Sequence, residues 1–162
     1  MVRRAKIKEP VLKIPNTVWD RIVLGGCILG LAGSALYVGV RWSALPEQLT
    51  GLSGNGAVGK GVLWLFVGIS LSLFIILSVV ERMPGFWNLG VPLNDANRAQ
   101  VYRMMRNMIG FVKLLAVFLM SYLTVILASG RAVSGAFLIG VAAVSILTLI
   151  GYRLVLRRVK LH

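Results

Sequence analysis

Residues 22–40 and 61–80 carry no charged side chain at all. At 1.5 Å rise per residue, each run as a helix covers about 28–30 Å, the thickness of a bilayer's hydrocarbon core. Two further stretches, 108–128 and 132–152, are as long and as apolar, and only Lys113 interrupts them. Inside hydrocarbon every backbone N–H and C=O must find its partner within the segment, so such runs fold as helices. The pattern predicts an all-α membrane protein with four transmembrane helices. A basic tail over 1–21 precedes the spans, and a second basic tail over 153–162 follows them.

The charge outside the spans decides the threading. The 162 residues hold 18 Lys+Arg against 5 Asp+Glu, a net charge of +13. A nucleic-acid binder spreads such charge over a folded surface. Here it is confined to tails and loops, so nucleic acid is not an expected partner. With both termini cytoplasmic, fourteen basic residues face the cytoplasm and three (Arg41, Lys60 and Arg131) face outward. The opposite threading reverses that bias, so the positive-inside rule selects cytoplasmic termini. The location this implies is a bacterial plasma (inner) membrane, crossed several times.

The N-terminal tail holds Arg3, Arg4, Lys6, Lys8, Lys13 and Arg21, and Pro10 and Pro15 keep it from forming one helix. Such a tail is drawn to anionic lipid headgroups. Its long apolar continuation fits an uncleaved signal anchor better than a cleaved leader. Asn16 or Thr17 is placed to cap the first helix. Trp19, Trp42, Trp64 and Trp87 all fall near span ends, where interfacial tryptophan is favoured. Gly26, Gly30 and Ser34 recur every four residues, with Gly33 alongside, and Ala136, Gly140 and Ala143 form a second small-residue face. Such faces let another helix approach closely. For the first of them, packing within the chain is expected ahead of dimerisation.

Residues 41–60 read as a glycine-rich, turn-rich loop on the outward side. Its GNGAVGKG stretch lacks the spacing and the Ser/Thr of a phosphate-binding loop. In the second loop, Pro84, Gly85, Gly90 and Pro92 keep the first part irregular, and Asn94 or Asp95 supplies a cap. Val101, Met104, Met105, Met108 and Val112 then share one helical face, with Arg103 and Arg106 pointing away and Arg98 and Tyr102 on the flank. The pattern predicts a short amphipathic interfacial helix that turns into the third span. Arg98, Arg103, Arg106 and Lys113 are its candidate contacts to lipid or to a protein partner.

Lys113 is the one charge inside a span, and an intramembrane charge is a functional suspect. It lies within two turns of the cytoplasmic boundary, so its stem can snorkel and bring the ammonium to the headgroups. The competing reading is an ion or proton path shared with Thr124, which would want a carboxylate within a span. The acids are Glu9, Asp20, Glu47, Glu81 and Asp95, all in tails and loops. Asp20 and Glu81 could meet at the cytoplasmic ends of spans one and two, but pairing with Arg21 and Arg82 is the simpler expectation. A catalytic acid–base pair must converge on one substrate, and no such pair is evident. Cys27 alone makes no intrachain disulfide, His162 is terminal, and a cluster of Cys or His ligands is excluded by count. Neither cofactor nor enzymatic activity is expected.

Trp42-Ser-Ala-Leu-Pro46, Asn94-Asp-Ala-Asn-Arg98, Tyr102-Arg103 and Lys113-Leu-Leu115 follow one another in an order that carries a likeness. Over residues 41–126 the chain resembles a bacterial integral-membrane domain family of unknown function, related to domains in SdpI-type immunity and signalling proteins. Trp42, Leu45 and Pro46 form the family-motif loop. That family often has a second proline and a His-Phe pair after the Leu-Pro motif; residues 47–53 here hold neither proline nor histidine. The resemblance therefore implies a class of protein and no chemistry. Together these readings point to a small accessory, sensor or interaction protein of the membrane, whose partners are the bilayer, its anionic headgroups, and a membrane protein or a second copy. Immunity or envelope-stress protection is the first alternative, and a subunit of a small transporter the second.

Overall fold

A computed structural model of the chain describes residues 15–84, 87 and 97–159, the last four without their side chains. The tail over 1–14, the Asn94 or Asp95 cap and residues 160–162 lie outside the described residues. Four helices are long and apolar enough to cross a membrane.

Helix α1 (Val18–Arg41) starts four residues ahead of the apolar run because Thr17 and Asp20 cap it reciprocally. The Asp20 amide donates to Thr17 Oγ1 at 3.4 Å, and the Thr17 amide donates to Asp20 Oδ2 at 2.6 Å. This capping box satisfies two of the donors that a helix start leaves open. Thr17→Ala is expected to cost about 1 kcal/mol, measurable as a lowered unfolding midpoint in mild detergent.

After α1 the chain makes a 3-10 turn over Trp42–Ala44, and Pro46 leads it into extended structure. Strands β1 (Gln48–Thr50) and β2 (Ala57–Gly59) pair antiparallel, with Leu49 opposite Val58. The expected turn-rich loop is thus a hairpin. Gly54 and Gly56 both sit at φ 80°, a backbone region that glycine enters without strain. At Gly51 the reason for glycine is different: an added Cβ would lie 2.7 Å from the Asn55 carbonyl oxygen. Gly51→Ala should displace the hairpin tip, read as faster hydrogen exchange of the Gly51 and Gly54 amides, which now donate to Gly56 and Gly51 carbonyls.

Helix α2 (Val62–Arg82) follows the second apolar run closely. Helix α3 (Arg98–Ala128) is one unbroken helix, and the basic turns expected to lead into the third span are its first turns. Asn97 occupies its N-cap position. Val101, Met105 and Ile109 are buried on one stripe there, whereas Val112 is exposed. Packing against α1 and α2, rather than lipid, has set the rotation of these turns. Helix α4 (Gly135–Val159) begins three residues later than the apolar run suggests. Residues 132–134 lie outside the helix instead, and the Val133 amide donates to the Leu52 carbonyl of the hairpin.

Helix α3 is the centre of the bundle and packs along both α1 and α2, while α4 rests chiefly on α3. Two apolar clusters lie between the first three helices. Val23, Cys27 and Val117 form one; Val38, Leu45, Leu49, Leu63, Leu127 and Ala128 form the other under the hairpin. Ser34, Ser70 and Thr124, one from each helix, are buried between them in sequence. Ser34 and Thr124 donate to carbonyls of their own helices, at 2.9 and 2.8 Å. Such back-bonding keeps a hydroxyl satisfied in an apolar interior.

Candidate functional site

The start of α1, the end of α2 and the fourth turn of α3 meet at the basic end of the bundle. Four ionisable side chains converge there. Lys113 Nζ donates to Glu81 Oε2 at 2.5 Å and to Ser78 Oγ at 3.3 Å. Arg106 Nε donates to Glu81 Oε1 at 3.2 Å and lies 3.4 Å from Asp20 Oδ1. Its terminal nitrogen donates to Asn16 Oδ1 at 2.6 Å. Glu81 thus takes one cation on each carboxylate oxygen. Those cations are seven residues apart on α3, two turns along one face.

Two carboxylates and two cations leave the cluster electrically neutral. Each member is less than one-fifth exposed, and Lys113 is 4 % exposed. The Phe74 ring, 5.6 Å from the Lys113 ammonium, supplies a further attraction. Glu81 stands at the C-terminal end of α2, where the helix dipole disfavours an anion. The two cations from α3 offset that penalty. Asp20 does two jobs: Oδ2 closes the α1 capping box, while Oδ1 faces Arg106.

Lys113 therefore does not snorkel to the headgroups; Glu81 takes its ammonium inside the protein. Asp20 and Glu81 do converge, but on α3 cations rather than on Arg21 and Arg82. Side chains adjacent in sequence are about 100° apart around a helix and do not face each other. Of the other candidate contacts, Arg103 is exposed, and Arg98 is half-buried with its guanidinium 5.9 Å from the Tyr102 ring. Trp87 fixes this corner: its indole N–H donates to the Val80 carbonyl at 2.8 Å, and its ring lies against Tyr102.

The small residues of α1 face α3. A Cβ on Gly26 would lie 2.8 Å from Leu114, and one on Gly30 3.1 Å from Val117 and 3.3 Å from Ser121. Ser121 Oγ uses this approach to donate to the Gly30 carbonyl at 2.9 Å. Ser34 is buried on the same stripe. Gly33 points elsewhere, into open space. The second small face is different: Ala136 is exposed, and a Cβ on Gly140 would meet nothing within 4 Å.

At the other end, Leu45 is buried in the cluster beneath the hairpin, Trp42 packs on its edge, and Pro46 is exposed. Lys60 bridges the hairpin, 2.7 Å from Glu47 and 4.9 Å from the Trp42 ring, which in turn leans on Trp64. Arg41 donates to Tyr37 Oη at 2.6 Å, and that hydroxyl meets Ser129 Oγ at 3.3 Å, tying the ends of α1 and α3. Among the described residues, no group of three His, Cys, Asp or Glu side chains is placed to hold a metal ion. The charge cluster holds three helices at one level. No family model, characterised protein or solved structure matches this chain.

Proposed function

We propose that this is a small multi-pass protein of the bacterial plasma membrane, both termini cytoplasmic, that acts by binding another membrane protein or a second copy of itself. The observation that carries this reading is the position of α4. The first three helices close their own core, and Asp20, Glu81, Arg106 and Lys113 pair among themselves. Helix α4 stands outside them, with none of its apolar span buried. Its face at Ala136 and Gly140 offers a close backbone approach that nothing in the described chain uses. The outward count of three basic residues against fourteen supports the threading. Crosslinking in native membranes followed by mild solubilisation should recover a reproducible partner or a homo-oligomer through α4. Recovery of monomer alone would remove the reading.

Protection against an envelope-active agent is a second reading, supported by the ordered hairpin and by the resemblance of residues 41–126. The Glu47–Lys60–Trp42–Trp64 set gives the outward end a stable surface that such an agent could meet. Deletion should then sensitise cells to some member of a broad panel. A transport path through Lys113 and Thr124 has less behind it, because both side chains already hold partners within the bundle.

A further inference from the structure

The hairpin end of the bundle carries three basic residues, Arg41, Lys60 and Arg131, and one acid, Glu47. Lys60 takes Glu47. The other described acids, Asp20 and Glu81, pair with Arg106 and Lys113 at the opposite end. Arg41 and Arg131 are both exposed, and among the described residues no carboxylate pairs with either.

Arg41 is held in place. Its Nη1 donates to Tyr37 Oη at 2.6 Å, and its guanidinium lies 5.4 Å from the centre of the Tyr37 ring. That ring packs on the apolar cluster beneath the hairpin. Ser129 Oγ donates to the Val125 carbonyl at 2.7 Å, which uses its one proton. Tyr37 Oη, 3.3 Å away, is therefore the donor to Ser129. The hydrogen bonds run one way, from Arg41 through Tyr37 and Ser129 to the α3 backbone. Neither hydroxyl keeps a proton for a ligand, whereas Arg41 keeps its other N–H groups. The end of α3 brings Arg131 to the same place. Gly130, at φ 66°, turns the chain so that its amide donates to the Leu127 carbonyl at 3.1 Å and the Arg131 amide to that of Ile126 at 3.2 Å. This is the closure by which a left-handed glycine ends a helix. Arg131 follows Ser129 by two residues, and its charge reaches the Tyr37 hydroxyl.

Charge and depth select the ligand. The ends of α1 and α3 each bring about half a negative charge, and the start of α4 about half a positive one. Against two guanidiniums, that leaves an excess of about 1.5 positive charges. Trp42 and Trp64, whose ring centres are 6.2 Å apart at this end, are of the type favoured at the membrane–water interface, the level of lipid phosphates. The planar fork of a guanidinium fits phosphate oxygens in pairs. We infer that Arg41 and Arg131 bind one phosphodiester monoanion at the hairpin end, with Tyr37 as the positioning residue that holds Arg41. A phospholipid headgroup and a soluble phosphodiester offer the same chemistry. None of these residues lies on α4, so the inference goes beyond the proposed partner binding and does not rest on it.

The full chain in maltoside micelles, which hold no phosphate, tests it by NMR of the arginine Nε–H groups. Phosphatidylglycerol and its water-soluble headgroup, glycerophosphoglycerol, are titrated separately. The Arg41 and Arg131 signals should move together and saturate at one ligand concentration. Saturation at lower concentration by the lipid identifies a headgroup as the source; saturation by the soluble diester at the same or lower concentration identifies a soluble ligand. Arg131→Gln should weaken the binding read at Arg41 about fivefold, the attraction of one basic residue to a phosphate-bearing surface. Arg41→Gln should do the same at Arg131, so either variant serves if the other does not fold. Tyr37→Phe keeps the ring and should weaken binding about threefold, because Arg41 must then be ordered by the ligand. In an Arg41→Gln background, Tyr37→Phe should leave the affinity read at Arg131 unchanged, which separates holding Arg41 from loosening the ends of α1 and α3. Signals that drift without saturating, an Arg41 affinity unmoved by Arg131→Gln, or an equal response to sodium acetate would overturn the inference. Unchanged affinity in Tyr37→Phe would overturn the role of Tyr37.

Discussion

Glu81→Leu is expected to be the most damaging single change in the molecule, at about 3–5 kcal/mol. It leaves Lys113 with no carboxylate at 4 % exposure and removes the closer of the two acids at Arg106. Lys113→Met should cost less, because Glu81 keeps Arg106. The double variant Glu81→Leu/Lys113→Met should recover part of the loss, since replacing both members of a buried pair with apolar groups leaves no uncompensated charge between them. Reversible unfolding in bicelles, run as a double-mutant cycle, reads the coupling. Lys113→Met with wild-type stability, and no coupling to Glu81, would mean that headgroups and not Glu81 hold the ammonium.

Gly30→Val is the second large effect, on the order of 1–3 kcal/mol for overpacking a closed interface. Both γ-branches would enter the space where Val117 and Ser121 already stand within 3.3 Å of a Cβ. The Ser121 bond to the Gly30 carbonyl would be lost as the helices part, worth about 0.6 kcal/mol more in a membrane interior. Gly33→Val is the matched control. Its Cβ meets nothing, so it should leave stability within about 0.5 kcal/mol of the parent. Equal effects at the two positions would show that helix propensity, and not the α1–α3 contact, governs both.

The two positions also mark what could be read from residues alone. The four spans were legible because hydrocarbon thickness and backbone satisfaction leave few solutions for long uncharged runs. The stripe Gly26–Gly30–Ser34 was legible as a packing face because small residues every four positions share one side of a helix. Its partner was not, since several helices could meet it. The charge cluster was half legible. Counting from the span ends put Asp20 and Glu81 at one boundary, but their partners depend on the rotation of α3, which tertiary packing fixes. The hairpin escaped because three-residue strands among glycines carry no usable alternation. The basic amphipathic stretch was legible as a helix leading into the third span, but not its packing, since it buries Val101 and Met105 against the bundle.

The division of the cluster between helices has a consequence for assembly. Both acids belong to the first two spans, and both cations to the third. Chains fold from the N-terminus as they are made, so Asp20 and Glu81 are in place before Arg106 or Lys113 arrives. Until then the two acids lack the cations that α3 gives them in the finished bundle. The third span thus brings the charges that join the adjoining ends of α1 and α2 at one level.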